Sequence, residues 1–255
     1  MEKTEFIEKQ LRLAQQQIKQ NYPIQPEKIQ QKTKHEIVTP IDKEIEQQII
    51  QNIKNTYPKH NILGEETGLT QKDSEYTWIL DPIDGTTNYA HNIPFFCTAI
   101  TLLKNQEPIH TGIIQPLTND VWIATKNKGA TKNRNPIKTK SKPFQKSLFG
   151  YCYKETNLQD TLSIVHYLKQ NAYDARRYGS ANLELALVAD GSLQGFIGHN
   201  LPPWDFKPGC LLIQEAYGTV QGWNQKTWKN KDTKNIIATP KEPNEELLRK
   251  LQENL

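Results

Sequence analysis

The sequence predicts an α/β (α+β) protein, and three observations carry that expectation. Helical spacing marks the N-terminal stretch and residues 41–53. A run of apolar strands separated by turn residues, a meander, occupies residues 93–124. Beyond residue 147, strand-like and helix-like segments alternate, the pattern of an α/β layer. At 255 residues the chain is long enough for one large domain or two modest halves sharing a core. The division expected is residues 1–140, an α+β half with most of the candidate metal ligands, and 141–255, an α/β half that completes the site. Together they form one compact unit.

Composition sets outer limits. With 32 basic and 28 acidic residues the net charge is +4, a mild excess that does not predict nucleic-acid binding. No run approaches the ~18–20 apolar residues needed to span a bilayer, and the first residues lack the apolar core of a secretory signal. The cysteines (Cys97, Cys152, Cys210) are distant from one another and lack the CxxC spacing. They are expected to be buried free thiols in a reducing cytoplasm.

In chain order, Phe6, Ile7, Leu11, Leu13, Ala14 and Ile18 define an amphipathic helix over residues 4–20. Residues 21–34 are polar with two prolines and predict a mobile connection. Ile45, Ile49, Ile50 and Ile53 mark a second helix, for which Thr39 or Asp42 serves as the cap. Ile62-Leu63-Gly64-Glu65-Glu66 reads as a short strand followed by two acids, ordinarily a solvated pair.

Residues 76–80 are a β-prone apolar run ending in Asp81-Pro82-Ile83-Asp84-Gly85-Thr86-Thr87. Carboxylates suit Mg²⁺, which takes oxygen ligands and keeps several waters. A glycine followed by free amides suits a phosphate. The string therefore fits metal-assisted phosphoryl chemistry, although an Asp-Pro-x-Asp-Gly sequence also serves as a plain turn. Glu65 becomes a candidate third carboxylate only in the company of that pair. The basic stretch at 126–142 predicts an exposed hairpin or linker, without the interleaved aromatics of a nucleic-acid surface.

In the second half, a strand is expected at 147–153 and a helix at 161–170. Gly179-Ser180-Ala181 opens the next helix, where amides and a hydroxyl suit an anion or a simple cap. Residues 195–198 form a short strand. Trp204-Asp205 begins another helix, with Asp205 either a first-turn cap or a functional acid and Trp204 a core anchor. The last residues, 240–255, suggest a short amphipathic helix.

Taken together, Gly64-Glu65-Glu66, the string Trp78-Ile79-Leu80-Asp81-Pro82-Ile83-Asp84-Gly85-Thr86-Thr87-Asn88-Tyr89 and the downstream Trp204-Asp205 resemble the inositol monophosphatase family. Val38-Thr39-x-x-Asp42, Lys128-Gly129-Ala130 and Gly179-Ser180-Ala181 extend the likeness over nearly the whole chain. The resemblance implies a layered αβαβα sandwich of the sugar-phosphatase type, often a homodimer, acting as a lithium-sensitive, Mg²⁺-dependent phosphatase. It implies two or three Mg²⁺ ions held by Glu65, Asp81, the carbonyl of Ile83, Asp84 and Asp205. It further implies that Glu65 and Thr86 orient the attacking water, and that no covalent intermediate forms. Substrate contacts are implied at Asp84, Gly85, Thr86, Thr87, Gly179, Ser180, Ala181, Gly198 and Asp205.

Two departures bear on substrate. Gly198 stands where inositol phosphatases of this family place a ring-contacting glutamate. Lys207 follows Asp205 closely, either as a contact to an anionic substrate or as a solvent-facing helix lysine. Expected substrates are inositol 1-phosphate or a similar small polyol or sugar phosphate. The alternatives are fructose 1,6-bisphosphate, 3′-phosphoadenosine 5′-phosphate or histidinol phosphate. A reading of another class, binding to RNA or a transcription complex, remains as a secondary role, with no membrane partner expected.

Overall fold

A computed structural model describes residues 2–33, 36–154, 158–223, 234–240 and 245–253. Helices α1 (Lys3–Asn21) and α2 (Pro40–Thr56) flank a two-stranded ribbon, β1 (Gln30–Gln31) with β2 (Ile37–Val38). Then follow β3 (Asn61–Gly64), β4 (Gly68–Thr70), β5 (Tyr76–Asp84) and the single-turn α3 (Thr86–Ala90). A meander completes the first half: β6 (Cys97–Lys104), β7 (Glu107–Gln115), β8 (Asp120–Thr125), β9 (Gly129–Lys132) and β10 (Asn135–Pro136). The second half runs β11 (Leu148–Tyr153), α4 (Leu158–Asn171), β12 (Asp174–Arg176), α5 (Ala181–Ala189), β13 (Gly195–His199) and α6 (Pro203–Glu215). It ends with β14 (Thr219–Gly222), β15 (Ile236–Thr239) and α7 (Glu245–Gln252).

The strands form an eight-stranded sheet, β10-β9-β8-β7-β6-β5-β3-β4, and a five-stranded sheet, β12-β11-β13-β15-β14. Both sheets are buried on both faces, so alternate residues along a strand enter different cores. Trp78, Leu80, Ile100 and Ile114 pack with Phe6 and Leu11 of α1 and Ile45 and Ile49 of α2. Ala99, Ile113, Trp122 and Ala124 point the other way, onto α5 and α6. Phe196, Ile236 and Ala238 of the second sheet close that same core from the far side, while their neighbours Ile197 and Ile237 face α4 and α7. The order is therefore α1/α2, sheet, α5/α6, sheet, α4/α7, the five-layer αβαβα sandwich that the resemblance implied.

Most expected elements stand where the pattern put them, and the basic stretch at 126–142 does contain a hairpin, β9–β10. All three cysteines are free and buried. The connection at 21–34 is mostly exposed over its described residues and is tied down at its start, where Ile24 is buried, Tyr22 lies 5.7 Å from the ring of Phe96, and Asn92 accepts the Ile24 N–H at 2.9 Å. Lys34, at its end, lies outside the described residues, as do parts of the tail at 240–255. Lys207 is neither solvent-facing nor at the surface: it is buried in α6 with Nζ 3.5 Å from the Gln106 carbonyl.

Candidate active site

The strand that carries Asp81 and Asp84 solves a phase problem. Residues three apart on a regular strand lie on opposite faces. Here two residues of β5 oppose one of β6: Asp81 pairs with Ala99 and Asp84 with Cys97, so Pro82 and Ile83 bulge opposite Thr98. A bulge adds one residue and turns the following side chain back to the first one's side. Pro82 has no ladder N–H to lose there, and its carbonyl accepts the Thr98 hydroxyl at 2.7 Å. Both aspartates are consequently buried and within each other's field.

Asp84 is fixed by the other half of the chain. Its carboxylate accepts from the Ser180 hydroxyl (3.0 Å), the Ala181 N–H (3.2 Å) and the Asn182 N–H (2.5 Å), the start of α5. A carboxylate facing a helix N-terminus is electrostatically favoured. Gly85 follows in the left-handed region (φ 95°), and a Cβ there would stand 3.1 Å from the Gly179 carbonyl. Gly179 is left-handed as well (φ 87°). Asn88 ties the two turns together, donating to the carbonyls of Phe95 and Tyr178 at 2.7 Å each.

Glu65 leaves β3 at the mouth of the same cleft. Its turn is held by Glu46 of α2, fully buried, which accepts the N–H of Glu66 at 3.1 Å and of Thr67 at 2.8 Å. One turn earlier on α2, Asp42 caps its own helix by accepting the Thr39 N–H at 2.9 Å. Its other oxygen lies 3.2 Å from the Thr86 hydroxyl, which also reaches the Ile83 carbonyl at 2.9 Å. Asp205 enters from the first turn of α6, whose approach is set by the Asn182 amide donating to the Trp204 carbonyl at 2.8 Å. Trp204 lines the mouth together with Glu65, Glu36, Lys32 and Lys154, around a cavity of about 270 Å³.

The fold thus brings Glu65, Asp81, Asp84 and Asp205 together from three places: the end of β3, strand β5 and the first turn of α6. Gly85, Thr86, Gly179, Ser180 and Ala181 stand beside them. Thr87 is exposed on the outer side of α3. Gly198 lies within β13, paired to Cys152 and Ile236, and the space a side chain would take is filled by Leu201 and Ile236. Sequence reasoning missed Glu46, Asn88, Asn182, Glu184 and Lys154. Glu184 is buried in α5 and accepts the N–H groups of Tyr178 and Gly179 at 3.2 Å each, holding the Gly179 turn as Glu46 holds the Glu65 turn.

The electrostatics are those of crowded buried acids. Burial, then the neighbouring charges of Glu65, Asp84 and Asp205, raises the Asp81 carboxyl well above the usual range. Burial and Asp205 raise Glu65, and burial raises Asp205 against the pull of Lys154. Burial pushes Asp42 up to about 6, opposed by the Thr39 hydrogen bonds. Asp81 Oδ1 is buried without a hydrogen-bond partner. Among the described residues no three acidic, thiol or imidazole side chains are grouped so as to hold a metal ion. Asp84 is turned towards α5, to which it is hydrogen-bonded. A buried carboxylate oxygen without a donor, among other all-oxygen ligands, is nevertheless the chemistry a hard divalent cation fits.

The model of the inositol monophosphatase family matches residues 2–255. The chain belongs to the inositol monophosphatase family. Among its relatives, an inositol monophosphatase of Dictyostelium discoideum is 34% identical, over 80% of this chain and 78% of that protein. The Nus factor SuhB of Escherichia coli K12 is 36% identical, over 74% of this chain and 73% of that one. In structure, the Thermotoga maritima IMPase superposes with a TM-score of 0.90 at 26% identity, covering 100% of this chain and 98% of the other. The inositol monophosphatase of Anabaena gives 0.84 at 31%, with 98% and 95% covered. The αβαβα sandwich is thus the inositol monophosphatase fold, and the chain is a hydrolase of that phosphatase family, a family generally dependent on metal. Among the described residues no helix is long and apolar enough to cross a membrane.

Proposed function

We propose that this protein is a Mg²⁺-dependent phosphomonoesterase for a small polyol or sugar phosphate, with inositol 1-phosphate the default substrate. The observation that carries the reading is the buried Asp81 oxygen, left without a donor amid Glu65, Asp84 and Asp205. Glu65, Asp81, the Ile83 carbonyl, Asp84 and Asp205 would hold the Mg²⁺ ions, two or three per site. Bound Mg²⁺ supplies charge neutralisation on the phosphoryl oxygens and acidification of water. Asp42 orients the Thr86 hydroxyl, and Thr86 with Glu65 positions and deprotonates the attacking water. Amides of Gly85 and Thr86 receive the ester, with Thr87 at the rim, while the Gly179–Ala181 turn, whose donors go to Glu184 and Asp84, braces the site from behind. Direct attack by water needs no covalent phospho-enzyme, and such a site works by positioning and charge stabilisation.

Position 198 itself offers no carboxylate to a polyol ring, since the space beside Gly198 is filled by Leu201 and Ile236, which favours a substrate panel wider than inositol esters. The test is phosphate release from inositol 1-phosphate and other monoesters, with and without Mg²⁺, by wild type and Asp84→Asn. Mg²⁺-dependent turnover that the substitution abolishes supports the reading. A folded, Mg²⁺-saturated protein that hydrolyses none of the esters overturns it. The SuhB relatives favour one further reading, association with a transcription or RNA complex in addition to catalysis. Retained binding to such a complex by Asp84→Asn would separate that role from the chemistry.

A further inference from the structure

We propose that Lys154 is a resident counter-ion of the acid cluster: it is shared between Asp205 and Glu36 in the metal-free protein and gives up Asp205 for Glu36 alone when a divalent cation takes Asp205. The inference rests on the metal-site reading above but concerns a residue that reading does not use. Lys154 directly follows β11, with Nζ 3.8 Å from Asp205 Oδ2 and 3.5 Å from Glu36 Oε1. It also lies in the fields of Glu65 and Asp81. Both distances are ion-pair separations longer than a charge-assisted hydrogen bond. The ammonium therefore sits between two carboxylates, on a flexible four-carbon stem, and is locked to neither. Lys32, the neighbouring cation at the mouth, is different. It is closed on Glu66 at 2.8 Å and feels Glu65 and Glu36 only at longer range, with no ion pair to Asp205.

Four crowded acids without a cation raise one another's pKa, and burial of Asp81, Asp84 and Asp205 weakens the screening of that repulsion. Lys154 offsets part of that charge. A metal arriving at Asp205 meets the ammonium as a like charge close by, so occupancy requires Lys154 to withdraw. Glu36 is already in place to receive it, nearer to solvent than Asp205. The metal affinity of the site is in this way set below what its carboxylates alone would give, and the empty site is protected from its own charge.

The decisive experiment is calorimetric titration of Mg²⁺ into the EDTA-stripped full chain, for wild type, Lys154→Met, Lys154→Arg and Lys32→Met. Removing the charge at 154 is expected to tighten Mg²⁺ binding by about tenfold, the scale of a nearby charge at a partly buried site. Lys154→Arg should stay near wild type, and Lys32→Met should change little. Residue-resolved lysine acylation of the wild-type protein gives a readout independent of any variant's folding: Lys154 should become more reactive when Mg²⁺ is added. Equal constants for wild type and Lys154→Met, or Lys154 reactivity indifferent to Mg²⁺, would overturn the counter-ion role alone. Protection of Lys154 by inorganic phosphate without Mg²⁺ would overturn it in favour of an anion contact. A wild type that takes up no Mg²⁺ would instead bring down the metal-site reading itself.

Discussion

Gly64 and Glu46 are fitted to each other: a Cβ on Gly64 would stand 2.4 Å from Glu46 Oε1, the oxygen that accepts the Thr67 N–H. A side chain at 64 is therefore incompatible with the present position of the Glu46 carboxylate. Gly64→Ala must displace the buried acid and free the turn that presents Glu65. The expected cost is about 1–3 kcal/mol, the range of an overpacked core site, with a fall in Mg²⁺ affinity. Urea denaturation and Mg²⁺ titration of the variant check both. A stable variant with unchanged Mg²⁺ affinity would show that Glu46 does not position Glu65.

Thr86 should be separable from folding. Its hydroxyl lies between the Asp42 carboxylate and the Ile83 carbonyl at the surface of the cleft, so Thr86→Val keeps the shape and removes the proton path. Phosphate release is expected to drop about 10²–10³-fold in kcat, the scale of a lost general acid–base partner, with little change in Tm or KM. Ordinary kcat in Thr86→Val would remove the threonine from the chemistry.

How much of this was legible in the residues differs from element to element. The strand ending in Asp81-Pro82-Ile83-Asp84-Gly85 was readable because its side chains declare their chemistry locally. So was Glu65, once that pair was in view. The positioning groups were not. Glu46 and Glu184 look like ordinary helix glutamates in sequence. Their roles depend on glycines in distant strands, Gly64 and Gly150, where a Cβ would meet each carboxylate at 2.4 Å. Asp42 was legible as a cap, and it is one, but its contact with Thr86 spans 44 residues. Strands β4, β12, β14 and β15 escaped notice because short edge or mixed segments carry too few residues for a period. Lys207 was misjudged because a lysine's usual place is the surface.

Asp81 is held where its ionised form is disfavoured, by burial and by three acidic neighbours. Asp81→Asn removes the charge at constant shape. In EDTA the variant should be more stable than wild type by roughly 2 kcal/mol, a Tm rise of about 4–8 °C for a chain of this size. Mg²⁺ should then raise the Tm of wild type but not of the variant, and activity should be lost. Scanning calorimetry in EDTA and in Mg²⁺ decides it. A destabilised Asp81→Asn would mean that the carboxylate is satisfied without a cation.

His60 supplies a pH dependence away from the site. It is stacked between Tyr57 (5.0 Å) and Tyr76 (4.8 Å), and its Nδ1 accepts the Trp78 indole N–H at 3.1 Å. Accepting through Nδ1 requires the neutral ring. Burial, then the nearby Lys3 charge, holds its pKa below the ordinary 6.5. With the folded value depressed, this contribution is complete above the unfolded pKa and is lost as pH falls through the folded one. Urea midpoints at pH 7.5 and 5.5 should differ more in wild type than in His60→Gln. An equal difference in the two proteins would show that His60 titrates as an exposed imidazole.

Restoring the family's glutamate at 198 should fail, and the failure is informative. Gly198 lies in β13 between β11 and β15, and a Cβ there would approach Leu201 to 2.6 Å and Ile236 to 2.9 Å. Neither can retreat far, since Leu201 is fully buried and Ile236 belongs to the core between the sheets. Gly198→Glu would overpack that core and bring a carboxylate in among apolar groups with no donor to receive it. Those two effects together should cost more than about 3 kcal/mol. Selectivity for inositol 1-phosphate over a sugar phosphate, compared as kcat/KM, should not increase in whatever fraction folds. A well-folded Gly198→Glu with a clear gain in that ratio would mean that the strand can open towards the cleft, and that this chain lost inositol recognition by a single exchange. Denaturation and the substrate ratio measured on one preparation distinguish the two outcomes.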